Sequence, residues 1–382
     1  MVLCILLLAA SGHAGCRTDV DCSLNGICNI STGQCACDPS WSGDACNTLL
    51  LLPAASPTAA HVPGLHTREA DGRNTSSWGG QVLWDPSTGL YNMWAAEMIN
   101  NCGINSWTRN SRIVHATSPR PDGAFTRDSV VRQVFAHEPS VTRAPDGTFV
   151  MYYTAFLQPA ERAPCQCQDG STDTSNCTNG MSDKDPTFMA TAPSAAGPWS
   201  KGQLVPLLDC NRTFCQHDMN LAGLILPNGS FVGMVKVHHK YSEIRLVRAE
   251  DYRKTQSYMQ APNDEGSSLF PGLGLGLEDP DLWIDARGAY HAVFHAIEPT
   301  SRLTGAHACS TDGLRWHYTG IAYNATVHFS DGSATTFSRR ERPHVVFANP
   351  AHPRTPTHLS TAVQYGGKYG DATFTLVQPI AT

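Results

Sequence analysis

Apolar and polar positions alternate most clearly between Gly276 and Ala296, in the stretch GLEDPDLWIDARGAYHAVFHA. Leu282 and Ile284 share one side of a first run, and Tyr290, Ala292 and Phe294 share one side of a second. A period of two is the mark of a half-buried strand, and the Arg287-Gly288 pair between the runs predicts a tight turn joining two antiparallel strands. Glu278 and Asp279 stand at the head of the first strand, where a strand mouth would present them.

The same pattern recurs along the chain. Aligned on a turn glycine, SWGGQVLWDPSTGLYNMWAA (Gly89), HEPSVTRAPDGTFVMYYTA (Gly147) and MNLAGLILPNGSFVGMVKV (Gly229) match the stretch around Gly288, and ERPHVVFANPAHPRTPTHLSTAV is a looser fifth copy. The copies begin near residues 80, 138, 220, 279 and 342, with one longer gap that holds the polar, Cys-containing insertion QPAERAPCQCQDGSTDTSNCTNG. A third strand follows in VHATSPRPDGAF, FMATAPSAAGPW and AHACSTDGLRW, each running into a polar turn and an aromatic. Supersecondary units repeated every 40–60 residues or so are the signature of a radial propeller. The expected fold is therefore all-β: a five-bladed β-propeller over residues 67–382.

Cysteine placement separates a second domain. Cys16, Cys22, Cys28, Cys35, Cys37 and Cys46 fall within about thirty residues, too short a segment to bury a stabilising core without covalent staples. Their C-x5-C-x5-C-x6-C-x-C-x8-C spacing, with Gly43 before the last cysteine, resembles an EGF-like module. That resemblance implies the pairs Cys16–Cys28, Cys22–Cys35 and Cys37–Cys46, which spacing alone leaves among 15 options. Gly15 and Ala14 stand where calcium-binding EGF modules carry acids, so no calcium is expected there. The expected domains are a signal peptide at 1–14, the EGF-like domain at 15–47, a linker with the strand leading into the next domain at 48–66, and the propeller. Cys165 and Cys167 are expected to pair with Cys177 or Cys102 rather than to bind zinc, and an odd cysteine should remain in the propeller.

Composition adds location. The apolar run Val2–Ala10 followed by Gly12-His13-Ala14 reads as a secretory signal, and no other stretch approaches the roughly 20 residues of a membrane span. The 14 cysteines and six N-x-S/T sequons, at Asn29, Asn74, Asn176, Asn211, Asn228 and Asn324, fit a secreted glycoprotein. With 16% charged residues, a net charge of -6 and no basic cluster, a nucleic-acid partner is excluded. An extracellular protein contact is expected only through the EGF-like domain.

In a propeller the innermost strands begin at one mouth of the central channel, so residues far apart in sequence converge there. The aligned positions are Gly80, Glu138, Asn220, Asp279 and Arg342, preceded by Gly79, His137, Met219, Glu278 and Glu341, with His217 and Asp218 just upstream of the third copy. Glycosidic cleavage uses two carboxyl groups, one protonated to donate to the leaving oxygen and one ionised to activate water or attack the anomeric carbon. Crowded acids are how a raised pKa arises. Glu138, Asp279, Glu278, Glu341 and Asp218 are the candidate acids. Trp78, His137, His217, Asn220, Arg342 and Trp107 are the candidate sugar contacts. No metal or cofactor is assigned, and Trp283, His238, His239 and His295 are read as structural.

The motifs HEP, EDP and ERP, the Asp-Gly turns and STDGLRW resemble the five-bladed propeller glycosidases, the clan of arabinanases, xylosidases, arabinofuranosidases and invertase-type fructosidases. The resemblance implies three acids on the first three blades. Position by position, the second role falls on Glu138, the third on Asn220 with Asp218 beside it, and the first on Trp78-Gly79-Gly80, which holds no acid. Hydrolysis of oligo- or polysaccharides at the channel mouth is the expected function. A carbohydrate-binding or adhesive propeller that has lost catalysis is the alternative.

Overall fold

A computed structural model describes residues 15–56, 67–68, 74–155, 163–167, 186–207, 218–238, 242–260, 268–297, 304–348, 351–365 and 373–382. The segment read as a signal peptide, His217, His239 and the Cys177, Cys210 and Cys215 region lie outside the described residues. So do the side chains of Asp218 and His238.

Five antiparallel sheets form the blades. The inner strands are Ser77–Asp85, Ala136–Arg143, Asp218–Ile225, Gly276–Ile284 and Arg339–Val346. Each of the first four sheets has four strands, and the fifth has three. The expected hairpin occupies Gly276–Ile284 and Tyr290–Ile297, and the expected third strands fall at Ser111–Ser118, Thr187–Ala192 and Gly305–Ser310. The aligned turn glycines reach this geometry because they take positive φ: 69° at Gly89, 89° at Gly147, 83° at Gly229 and 85° at Gly288. In all four of these turns the glycine N–H donates back across the loop, as from Gly147 to Ala144 at 2.9 Å and from Gly229 to Leu226 at 2.8 Å.

The fifth blade gains its outer edge from the other end of the chain. Leu51 bridges Ile380 in antiparallel fashion. The Leu52 N–H donates to Pro379 O, and the Ala381 N–H donates to Leu50 O, both at 2.8 Å. The segment expected to act as a linker thus begins as a strand-like edge of the last blade, which protects unpaired edge groups and ties the start of the chain to its end.

The EGF-like module holds the three expected disulfides, Cys16–Cys28, Cys22–Cys35 and Cys37–Cys46. It packs on the fourth and fifth blades. Trp41 and Leu49 are buried in one apolar cluster with Trp283, Val293, Tyr323, Val345 and Leu359. The Trp41 ring lies 4.8 Å from that of His307. Arg287 pairs with Asp38 at 2.6 Å, and Asn47 Nδ2 donates to Thr319 O at 2.8 Å. Cys102–Cys167 is a further disulfide, as expected. Cys309 is buried as a free thiol.

Candidate functional site

Every inner strand carries the same irregularity at its first residues. The pairing register shifts between Trp78 and Gly80, His137 and Ser140, Met219 and Ala222, Glu278 and Asp281, and Glu341 and His344. A bulge of this kind re-aims a side chain out of the pleat. At the bulge stand Gly79, Glu138, Asn220, Asp279 and Arg342, with φ of 64°, 56°, 61°, 55° and 55°. The left-handed region is costly for residues other than glycine and is often tied to function. Four such residues at equivalent places in four blades make the bulge a built feature of the channel mouth.

This ring corrects the sequence alignment by one position. The first-blade equivalent is Gly79, not Gly80. It also shows why the first blade holds no acid: a Cβ on Gly79 would stand 2.7 Å from Arg342 Cβ and 3.1 Å from its Cγ. The side chain of the fifth blade occupies the place of the first.

Arg342 and Asp279 are both about 95% buried. Arg342 Nη1 donates to Asp279 Oδ1 at 2.9 Å and lies 3.6 Å from Glu138 Oε1. Asp279 also accepts from the Arg342 backbone N–H and from Asn220 Nδ2. Its oxygens are fully engaged, so Asp279 holds the ring together. Glu138 differs, because its buried Oε2 has no hydrogen-bond partner among the described residues. Burial pushes the Glu138 carboxyl up to about 7, with Asp279 and Glu278 adding to the effect and Arg342 and Lys236 opposing it.

One residue upstream, the second tier forms another network. Glu278 is bound by Lys236 Nζ and accepts from His295 Nδ1 at 2.9 Å. Burial alone would raise Glu278, but the Lys236 ammonium and His295 hold it well below the usual carboxylate range. His295 is opposed by burial, yet Glu341 and Glu278 raise it to about 9. Glu341 is held by two hydrogen bonds from Arg339, at 2.6 and 2.7 Å. His137 is buried, accepts or donates at 2.6 Å to Ser111 Oγ, and lies 3.8 Å from Glu138. Burial and the nearby arginines keep its pKa well below the ordinary value, so it stays neutral.

Glu138, Glu278, Asp279, Glu341, Asn220, Arg342 and His137 therefore converge as expected. Trp107 is half-buried beside His137, with ring centroids 5.0 Å apart. Trp78 does not offer its face to a sugar: it is 3% exposed, and the Arg339 guanidinium covers its ring at 4.4 Å. The Asp218 backbone begins the third inner strand, paired with Val237. Sequence reasoning missed Lys236, Arg339 and Ser111, and it read His295 as structural. Lys236 and His295 stand on second strands directly opposite second-tier positions, Met219 and Glu278; reading across the hairpin register would have found them.

The oxygens and nitrogen of Glu278, Asp279, His295 and Glu341 lie within 4.8 Å of one another. Three carboxylates and an imidazole are donors that a divalent transition-metal ion accepts. Lys236, Arg339 and Arg342 already neutralise these acids, so an ion would have to displace one of them.

Comparison with known proteins agrees with the two-part architecture. Residues 18–48 match the Teneurin-like EGF domain family. No curated protein sequence matches the chain. Among solved structures, a family 117 glycoside hydrolase from Zobellia galactanivorans superposes with a TM-score of 0.55 at 13% identity, covering 84% of this chain and 89% of that one. A putative exo-beta-1,3-galactanase from Bifidobacterium bifidum gives 0.51 at 14% identity over 84% and 93%. An exo-beta-1,3-galactanase from Phanerochaete chrysosporium gives 0.53 at 9% identity over 83% of this chain and 63% of its own. At these identities the likeness is one of fold.

Proposed function

We propose that the chain acts on carbohydrate at the channel mouth by hydrolysing a glycosidic bond, with Glu138 as proton donor and Glu278 as the ionised partner. The observation that carries this reading is the contrast between the two carboxyl groups. Glu138 is held protonated up to about 7 and has a buried oxygen without a partner among the described residues. Glu278 is kept ionised by Lys236 and His295. Two carboxyl groups pushed apart in pKa are what acid-assisted glycoside cleavage requires. Arg342 then keeps Glu138 near neutrality, Asp279 fixes Arg342, and half-buried Trp107 offers a ring face to the sugar. The glycosidase propellers among the structural neighbours support a carbohydrate ligand, and the stapled EGF-like module fits an extracellular location.

A second reading, sugar binding without turnover, is favoured by one specific feature: Arg342 fills the first-blade position, where the clan carries an acid. The two readings separate in one experiment. Wild type, Glu138→Gln and Glu278→Gln would be tested on a panel of aryl glycosides and oligosaccharides, with calorimetric binding to the same oligosaccharides. Hydrolysis predicts wild-type turnover that falls roughly 100-fold or more in either variant, the usual contribution of a positioned acid or base, while binding survives. Binding in wild type with no turnover on any substrate would replace the first reading by the second.

A further inference from the structure

On the face opposite the channel mouth, the third and fourth blades enclose a groove of about 510 Å3, lined by Leu226, Asn228, Arg248, Met259, Tyr290 and Leu314 among others. That volume lies within the roughly 300–1,000 Å3 of sites that hold small ligands. Met259 and Leu314, 55% and 43% exposed, are among the few large apolar side chains left in solvent. The lining mixes apolar with polar residues, and one of the polar ones opens a glycosylation sequon: Asn228-Gly229-Ser230 is N-x-S at the tip of a hairpin.

The local geometry leaves that asparagine open to substitution. Asn228 is exposed, and its Oδ1 accepts from the Ser230 N–H at 3.1 Å and from Ser230 Oγ at 2.7 Å. The Asn228 side chain thus engages the turn through its amide oxygen alone, and among the described residues no hydrogen bond engages Nδ2. A group attached to Nδ2 costs the folded chain no contact. It would emerge beside Met259, Leu314 and the Tyr290 ring, an apolar and aromatic surface on which pyranose faces can pack.

We propose that Asn228 carries an N-linked glycan whose first sugars lie in this groove and cover Met259 and Leu314. The attachment is a transfer from a polyprenyl-diphosphate-linked oligosaccharide in the secretory lumen. The anomeric carbon bonds to Nδ2, its bond to the diphosphate oxygen breaks, the lipid diphosphate leaves, and the amide loses one proton; nothing is oxidised or reduced. The glycan is the occupant because its attachment point is part of the groove wall, and the groove lies at the far end of the blades from the candidate site.

The test uses the full chain made in a host with N-glycosylation machinery. Peptide mapping after enzymatic deglycosylation reads occupancy at Asn228. Peroxide oxidation of Met259, followed by mass spectrometry, reads cover of the groove. The expected result is an occupied Asn228, with Met259 oxidised several-fold faster after native deglycosylation and in both Asn228→Gln and Ser230→Ala. An unoccupied Asn228 in the folded protein overturns the proposal. Occupancy with equal oxidation before and after deglycosylation also overturns it, because the glycan would then project into solvent.

Discussion

Replacing Glu138 by Gln should remove one identifiable component of the pH dependence of stability. The folded protein holds this carboxyl protonated up to about 7, against 4.5 for an unperturbed glutamate. Between those values the folded chain binds one more proton here than the unfolded chain does. Stability from this group is therefore complete below about 4.5 and is lost as pH rises through about 7. At about 1.4 kcal/mol for each step in pKa, the loss is on the order of 3 kcal/mol. Other groups titrate in the same range. His137, His291 and His307 are held neutral by burial, so they lose stability as pH falls below 6.5, with the opposite slope. The wild-type curve alone therefore hides the effect, and the difference between wild type and Glu138→Gln isolates it. The assay is urea unfolding at a series of pH values from 4 to 8, with the unfolding slope checked for constancy. The variant should gain on wild type steadily across the window and level off above it. Parallel curves would mean that Glu138 titrates in the folded protein as it does in the unfolded chain and is ionised at neutral pH, and its role as proton donor would fall with it.

Arg342→Met keeps most of the side-chain volume but leaves Asp279 buried without its cation; a loss of about 3–5 kcal/mol is expected, read by denaturant unfolding at neutral pH. A loss below about 1 kcal/mol would mean that Asn220 and the backbone N–H suffice to hold Asp279. At the EGF-like interface, Trp41→Ala empties a buried site between Trp283 and Tyr323 and should cost about 3–5 kcal/mol. If the propeller melts at an unchanged temperature in that variant, the module contributes nothing to the stability of the ring it packs on.

The hairpins were legible because period-two alternation and a positive-φ glycine leave marks in one strand and one turn, as at Gly276–Ala296. The blade count followed from the spacing of those marks, and the EGF-like module followed from its cysteine spacing. The mouth was legible only in part. Glu138, Asp279 and Arg342 each precede a proline, which ordinarily favours extended backbone, yet all three take left-handed φ at a bulge. Tertiary structure overrides the local preference there, and the one-residue offset at Gly79 follows from not seeing the bulge. Lys236, His295 and Arg339 escaped for a different reason. Lys236 and His295 reach the site from second strands, and their function lies in a partner 42 and 17 residues away rather than in a local motif; Arg339 stands on the fifth inner strand itself, two residues before the Glu341 it holds.

Gly79 and Arg342 belong to one device, and it sits where the ring of blades closes. Between the first and fifth blades, Thr373 Oγ1 donates to Ser77 O at 2.7 Å, Thr375 Oγ1 to Gly79 O at 3.0 Å, and Ser360 Oγ to Gly80 O at 2.6 Å. These bonds fix the first inner strand against the last blade at the depth of the bulge. They bring the two backbones so close that only one of the two mouth positions has room for a side chain, and the arginine has taken it. Leu51 on Ile380 and the packed EGF-like module brace the same blade from outside. The guanidinium that tunes Glu138 and anchors Asp279 is therefore positioned by the closure of the ring itself. Loosening the closure from outside, at the strand edge or at the module, would reach the carboxyl groups at the mouth through Arg342, because no first-blade side chain stands between them.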